Sequence, residues 1–227
     1  MAEFLLIDGS YYSFYRYFAL LNWWKHSHPG EELEDPSKNE DFVTRFKTVF
    51  TKKIKEIIKK LKMNSPIVIV GLDCPRKDIW RNELFDSYKA HRVQDDNFMG
   101  GSIFKMVHRE ELFRQAGANM TIRHPHLEAD DCLALTTRNI LGLMPHAKIT
   151  IITSDMDYLQ LACENIRLVN LKYKDLTDSK NCYKDKDKDL FCKIVMGDKS
   201  DGIPSIFKKC GIKTAAKCYE DKEYFHN

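Results

Sequence analysis

Seven cysteines are scattered through the 227 residues, yet no two form a Cys-x-x-Cys pair. That spacing excludes a regular zinc site and a disulfide framework, and reads as reduced thiols in a cytosolic or nuclear setting. No apolar run approaches the roughly 20 residues that span a bilayer, and Met1-Ala2-Glu3-Phe4 does not open a secretory signal. A large excess of one charge is missing too: 36 Lys and Arg against 33 Asp and Glu leave +3. With a pI near 8.4 this is a mild lean toward polyanions, and only the clustering of charge can give it meaning. The expectation is a soluble intracellular chain with no membrane partner. Its 43% hydrophobic content suffices for one sizeable core with a small appended unit.

What is present is a repeated device, a short apolar run rich in β-branched residues that stops at an acid. Phe4-Leu5-Leu6-Ile7 ends in Asp8-Gly9-Ser10, residues 66–72 end in Asp73, and Ile149-Thr150-Ile151-Ile152 leads to Asp155 and Asp157. Runs of this kind make buried parallel strands. Further strands are expected at Met120-Thr121-Ile122 and over residues 166–171. Helical patterns lie between: an aromatic-rich one after Ser10, others over residues 41–63, 76–92 and 102–116, and one from the acidic triplet at residue 128 to about Leu143. Residues 22–41 and 172–189 read as exposed loops. Together these predict an α/β fold, a central, mostly parallel sheet with helices on both faces.

In such a sheet the carboxyl ends of the strands face the ligand crevice, so Asp8, Asp73, Asp155 and Asp157 should share one rim. Glu128, Asp130 and Asp131 at a helix start, and Asp198 with Asp201 in a late turn, can close the cluster. Left unpaired, these acids would repel one another. Nine carboxylates are a hard oxygen donor set, suited to Mg²⁺ or Mn²⁺ rather than zinc. Two such ions about 4 Å apart can activate a water and stabilise the leaving oxygen of a phosphoryl displacement. Plainer roles exist for the same residues. Asp8 can be a helix cap, and the triplet can be first-turn acids complementing a helix dipole. The aromatics from Tyr11 to Phe18 are core or ligand platform. Lys89 and Arg92, three apart, share a face if helical and can grip one phosphate. Residues 197–216 read as a helix end, a Gly-containing turn and a second helix, where backbone amides and Lys213 can hold a phosphate without reading bases.

Taken jointly, Asp8-Gly9-Ser10, Tyr88-Lys89-Ala90-His91-Arg92, Leu127-Glu128-Ala129-Asp130-Asp131, Thr153-Ser154-Asp155-Met156-Asp157 and Gly197-Asp198-Lys199-Ser200-Asp201-Gly202-Ile203-Pro204 resemble the motifs of the 5′-nuclease family. They stand in family order from residue 4 to about 219. That family contains the flap endonucleases, phage 5′-exonucleases and the 5′-nuclease domain of bacterial DNA polymerases. The resemblance implies a PIN-like nuclease core over residues 1–187, with an arch segment at about 76–104. A helix–three-turn–helix over 188–227 would pack on that core. It implies a first metal site of Asp8, Asp73, Glu128, Asp130 and Asp131, and a second of Asp155, Asp157, Asp198 and Asp201, an acid of the triplet bridging. Mg²⁺ would be the ion, with Mn²⁺ substituting. Asp130 and Asp155 would be catalytic through the metals, alongside Lys89 and Arg92, the basic pair at the foot of the arch that steers the scissile phosphate. Phe14 would stack on the nucleotide beside the cut, Tyr88 would join the substrate contacts, and Gly211, Lys213 and Thr214 would grip the duplex, where K⁺ can bind through backbone carbonyls. The implied substrates are DNAs with 5′ flaps, nicks, gaps or free 5′ ends, cut to 5′-phosphate and 3′-hydroxyl products in replication, repair or recombination.

Three features depart from the family's pattern. The arch stretch 93–101 is short and carries Asp95 and Asp96. Lys209 stands where relatives usually have the first glycine of Gly-x-Gly, and Ile212 where they have proline. The chain stops soon after this motif with no sliding-clamp peptide, as a compact phage-like or large-DNA-virus enzyme or a shortened chain would. Two other readings stay open on sequence: a DNA-junction binding protein with little cleavage, and a relative that cuts RNA or hybrid duplexes.

Overall fold

A computed structural model describes residues 1–30, 33–90 and 98–226. Five strands, β1 (Glu3–Asp8), β2 (Ile67–Leu72), β3 (Met120–Arg123), β4 (Lys148–Ile152) and β5 (Ile166–Val169), form one all-parallel sheet in the order β3-β2-β1-β4-β5. Register places Leu6 between Ile69 and Ile151. Side chains alternate across this sheet as the two-residue strand period requires. Leu5, Ile7, Val68, Val70, Ile152 and Val169 face one side. That side is covered by α1 (Gly9–Ser27), α2 (Glu40–Lys60), α3 (Gly101–Arg109) and α4 (Leu112–Gln115). Phe4, Leu6, Ile69, Ile149, Ile151 and Leu168 face the other, against α5 (Ala129–Leu143) and the 3-10 turn Met156–Leu161. Leu5, Leu6 and Ile7 are wholly buried, each contributing about 1.5–3 kcal/mol. This is the parallel sheet with helices on both faces that the pattern predicts.

The chain runs outward from β1 through β2 to β3, then returns past β1 to β4 and β5. The strand order therefore reverses between β1 and β4, where an open α/β sheet offers its crevice beyond the carboxyl ends. Two glycines let the helices close on that point. A Cβ on Gly9 would lie 2.7 Å from the Gly71 carbonyl oxygen, and one on Gly71 would lie 2.7 Å from Leu133 and 2.9 Å from the Ala129 carbonyl oxygen. The starts of α1 and α5 thus pass directly over β2.

Four expectations are corrected. Residues 22–27, read as loop, continue α1, because Trp24 is buried, packs against Phe42 and stacks on His28 at 4.0 Å. Residues 76–90 are not an α-helix but two short 3-10 turns, Arg76–Asp78 and Trp80–Glu83, and further turns. Lys89 has a φ of 54°, which a right-handed helix does not accept. The helix expected over 102–116 is broken at Glu111, whose φ is 50°, although its apolar positions Ile103, Met106, Val107, Leu112 and Phe113 are all buried as expected. At the other end, α6 (Lys186–Met196) begins inside the stretch read as loop, capped by Asp185. With α7 (Ile212–Glu220) and α8 (Lys222–His226) it shares a small core of Cys192, Val195 and Ala215, flanked by Phe207 and Phe225. Among the described residues no helix is long and apolar enough to cross a membrane.

Candidate active site

Asp8 ends β1 and caps α1, its Oδ1 accepting from the Tyr11 N–H at 2.9 Å. Asp73, one step past β2, accepts from the Ser10 hydroxyl and from the Ala129 N–H at 2.7 Å, so one carboxylate ties the starts of α1 and α5 together. Asp130 follows in the first turn of α5. Asp155, beyond β4, caps the 3-10 turn by accepting from the Asp157 N–H at 2.9 Å. Asp8 feels the other three. Burial, then the charges of Asp73, Asp130 and Asp155, push the Asp8 carboxyl up to about 7 against the pull of the Tyr11 N–H. Burial, then Asp131 and Glu128, push Asp130 up to about 6. The Tyr158 phenol, 3.5 Å from Asp8 Oδ2, is raised by burial and by the charges of Asp8, Asp130, Asp155 and Asp73, and stays neutral.

None of these four acids is ion-paired with another described residue. Among the described residues no three His, Cys, Asp or Glu side chains are gathered closely enough to hold a metal ion as they stand. Neighbouring, partly buried oxygens that lack a cation of the protein's own nevertheless fit a hard divalent ion.

The acidic triplet divides. Glu128, 7% exposed, accepts from the Tyr88 hydroxyl at 2.7 Å, from Lys89 Nζ at 2.5 Å and from Arg81 Nη1 at 3.3 Å. Asp131 is held by both Arg81 terminal nitrogens at 2.7 Å, by the Trp80 indole N–H at 3.2 Å and by the Glu128 N–H at 3.2 Å. Burial acts upward on Asp131, but Arg81 and Trp80 hold it below the usual carboxylate range. Both roles weighed for the triplet are therefore realised: Asp130 joins the carboxylate cluster, while Glu128 and Asp131 are tied to cations and to the start of α5. Lys89 also donates its backbone N–H to the Asp201 carbonyl at 2.7 Å, and its Nζ lies 3.8 Å from Asp201 Oδ1. Arg92, with Asp95 and Asp96, lies outside the described residues.

Arg81→Ala is expected to lower unfolding stability by about 1–3 kcal/mol, since it leaves the partly buried Asp131 carboxylate without its cation, whereas Glu128 keeps Lys89 and Tyr88. Urea titration checks this, and an unchanged midpoint would show that Arg81 does not anchor the start of α5.

Asp157 and Asp198 share one partner. Lys193, on α6, donates to Asp157 Oδ1 and, at 3.0 Å, to Asp198 Oδ2. Burial acts upward on Asp198, but the Ser200 hydroxyl and Lys193 hold it at about 2. Asp157 moves the other way, because its burial outweighs the same lysine. Asp198 Oδ1 also accepts from the Ser200 N–H at 2.8 Å and hydroxyl at 2.6 Å, closing a turn in which Asp198 and Ile203 bond each other's backbones.

Phe14 is 43% exposed and lines one small pocket with Asp73, Ser10 and His108. It stacks on Phe98 at 5.5 Å. Gly211 precedes α7, and Lys213 and Thr214 lie in its first turn. Lys209 has a φ of 59°, so the backbone takes the left-handed turn that glycine adopts freely, at a cost of about 1 kcal/mol. Sequence reasoning did not single out Arg81, Tyr158 or Lys193. Arg81 is 47 and 50 residues from its partners, beyond any local pattern, and Lys193 meets Asp157 across 36 residues.

A family model described as 5′-3′ exonuclease, N-terminal resolvase-like domain, matches residues 3–190. The chain belongs to this 5′-3′ exonuclease family. As a family member it is a 5′-nuclease, and its relatives agree. It is 31% identical over 215 residues to the 5′-3′ exonuclease of Buchnera aphidicola subsp. Acyrthosiphon pisum (strain APS), a match covering 93% of this chain and 68% of the relative. It is 29% identical over 182 residues to the 5′-3′ exonuclease of Bacillus subtilis (strain 168), covering 75% and 57%. DNA polymerase I of Deinococcus radiodurans matches at 29% over 171 residues, 74% of this chain but 17% of that one. The exonuclease-family fold is also that of bacteriophage T5 proteins of known structure. The T5 protein co-crystallised with metal ions superposes with a TM-score of 0.66 at 16% identity, over 96% of this chain and 74% of that chain. The T5 flap endonuclease in a complex with DNA and metal ions gives the same values.

Proposed function

We propose that this chain hydrolyses DNA phosphodiester bonds in a structure-selective way, at 5′ flaps, nicks, gaps and free 5′ ends, with two divalent ions. The carrying observation is the convergence of Asp8, Asp73, Asp130 and Asp155 on one rim of the sheet, where the last three raise the Asp8 carboxyl and no described cation pairs any of the four. Asp8, Asp73 and Asp130 would hold the first ion, with Glu128 and Asp131 beside them. Asp155, Asp157, Asp198 and Asp201 would hold the second. Mg²⁺, or Mn²⁺ in its place, supplies Lewis-acid polarisation of the phosphate and of a water molecule when bound.

The chain's own groups do the rest. Lys89 is held by Glu128 and Asp201 over the start of α5, so an incoming phosphate meets an ammonium already aimed at the carboxylate rim. Arg92 belongs to the same proposal as a second phosphate-binding cation. Tyr88 fixes Glu128 and hence Lys89. Phe14, beside Asp73, offers a ring face to the base next to the cut, a contact worth about 1–3 kcal/mol. Gly211, Lys213 and Thr214 present backbone amides and a cation to duplex phosphates away from the cut. A K⁺ ion held by carbonyls of the turn before α7 belongs to the same proposal. In this reading residues 1–187 are the nuclease core and 188–227 the duplex grip.

Labelled flap, nicked, gapped and single-stranded DNAs incubated with Mg²⁺ or EDTA test the proposal. Mg²⁺-dependent products ending in 3′-hydroxyl, lost in EDTA, are expected. Tight flap binding with no product in Mg²⁺ or Mn²⁺ would leave a junction-binding protein. For Lys89→Ala, turnover is expected to fall about 10²-fold while DNA affinity changes less than about fivefold. Equal losses would make Lys89 an anchor only.

A further inference from the structure

Asp8, Asp73 and Asp130 have no ion pair among the described residues, but three of the acids assigned to the second ion already have one, Asp201 with Lys89 and both Asp157 and Asp198 with Lys193. Lys193 bonds Asp157 and, at 3.0 Å, Asp198, so an ammonium bridges two of the oxygens a divalent ion would take. We propose that Lys193 is a resident counter-ion of the second site, which a second divalent ion must displace, so that this ion binds more weakly than the first. The inference rests on the two-ion reading above and adds an ordering of the two affinities.

Its setting suits displacement. Cys192 and Val195 anchor α6 in the small core, whereas the Lys193 side chain is 33% exposed. A pocket of about 470 Å³ lined by Lys193, Met156, Leu190, Asp198 and Lys199 adjoins it and gives the stem room to move. Asp198 does not depend on Lys193 for its position, because the Ser200 N–H and hydroxyl fix its other oxygen at 2.8 and 2.6 Å. An ammonium has a fixed single charge and three donors. A divalent ion carries twice the charge and takes more oxygens, so it wins once its concentration is high enough. Between the two affinities the protein would hold one ion and DNA without a complete site.

The test is a titration of MnCl₂ into metal-free protein without DNA, with bound Mn²⁺ counted by electron paramagnetic resonance. In the unmodified protein one equivalent is expected to bind at least about tenfold more tightly than the second, the scale of one like charge at contact distance. Lys193→Met keeps the stem and removes the charge. It should tighten the second equivalent about 10- to 100-fold and leave the first within about threefold. Lys193→Arg should keep the weak second equivalent. Lys199→Met removes an exposed charge from the adjoining turn and should change neither. Thermal unfolding in EDTA and in MnCl₂ confirms that each variant folds, and Lys193→Gln repeats the comparison should the methionine variant not fold. A second equivalent no tighter in Lys193→Met or Lys193→Gln than in the unmodified protein overturns the counter-ion role while the two-ion reading stands. Equal tightening by Lys199→Met would also overturn it, since a general field would then suffice. Failure of every protein to bind a second equivalent removes both.

Discussion

Asp130→Asn and Asp155→Asn are each expected to slow single-turnover cleavage of a 5′-flap DNA in saturating Mg²⁺ by about 10³-fold or more, a barrier increase near ~4 kcal/mol. The same variants should unfold in EDTA at pH 8 at an unchanged or higher temperature. Asp130 sits among Asp131 and Glu128 charges that, with burial, push its carboxyl up to about 6, so removing its charge relieves repulsion. The charge of Asp155 is one of those that raise Asp8. Asparagine keeps the size of both side chains, and at position 155 it keeps an oxygen to accept from the Asp157 N–H. A residue kept for the fold loses stability and activity together. A residue kept for a charged site loses activity while stability holds or rises. Flap cleavage by either variant at the unmodified rate would end the assignment, as would a fall in unfolding temperature large enough to account for the lost activity.

The rim of the sheet could be read from sequence because its signal is local. A buried parallel strand is a short run of apolar, β-branched residues, and an acid placed one to three residues past it can only sit at the crevice. Asp8, Asp73 and Asp155 follow that rule. What stayed hidden depends on partners far along the chain. The stretch 76–90 has enough spaced apolar and charged residues to suggest a helix, yet it is strapped to the strand–helix connection by the Cys74 N–H on the Leu127 carbonyl and the Trp80 N–H on the His126 carbonyl. Lys89 then takes a left-handed backbone, because its side chain is bound to Glu128, 39 residues away. The triplet shows the same limit. Glu128, Asp130 and Asp131 look alike in sequence, but the positions of Arg81 and Lys89 separate the two that are neutralised from the one that is not. The end of α1 was misplaced for a milder reason. Trp24 helps hold residues 22–27 helical by packing on Phe42, and polar neighbours such as Lys25 and His26 disguise a buried anchor.

Metal-free protein is expected to lose thermal stability as pH rises from about 5 to about 8, and millimolar Mg²⁺ to restore most of it. The sign follows from proton counts. An unfolded aspartate titrates near ~3.9, whereas folded Asp8 lies at about 7 and Asp130 at about 6. Between those values the folded chain binds more protons, so its stability falls as pH rises and is lost by the time the folded values are passed. Asp157, raised by burial, adds to the same slope. Asp198, held at about 2, and Asp131, also lowered, gain their stabilisation at lower pH and are flat across this window. His108 opposes, since burial and Arg123 lower it, so a His108→Gln background isolates the acids. The expected loss is roughly 2–4 kcal/mol, or about 5–10 °C for a chain of this size. Mg²⁺ at about 100 times its dissociation constant would return ~2.7 kcal/mol, and Asp8→Asn should flatten most of the slope. Scanning calorimetry in EDTA and in Mg²⁺ across this range provides the check. A flat or rising profile in EDTA, with no response to Mg²⁺, would mean that Asp8, Asp73, Asp130 and Asp155 do not share a field, and the nuclease site built on them would have to be sought elsewhere.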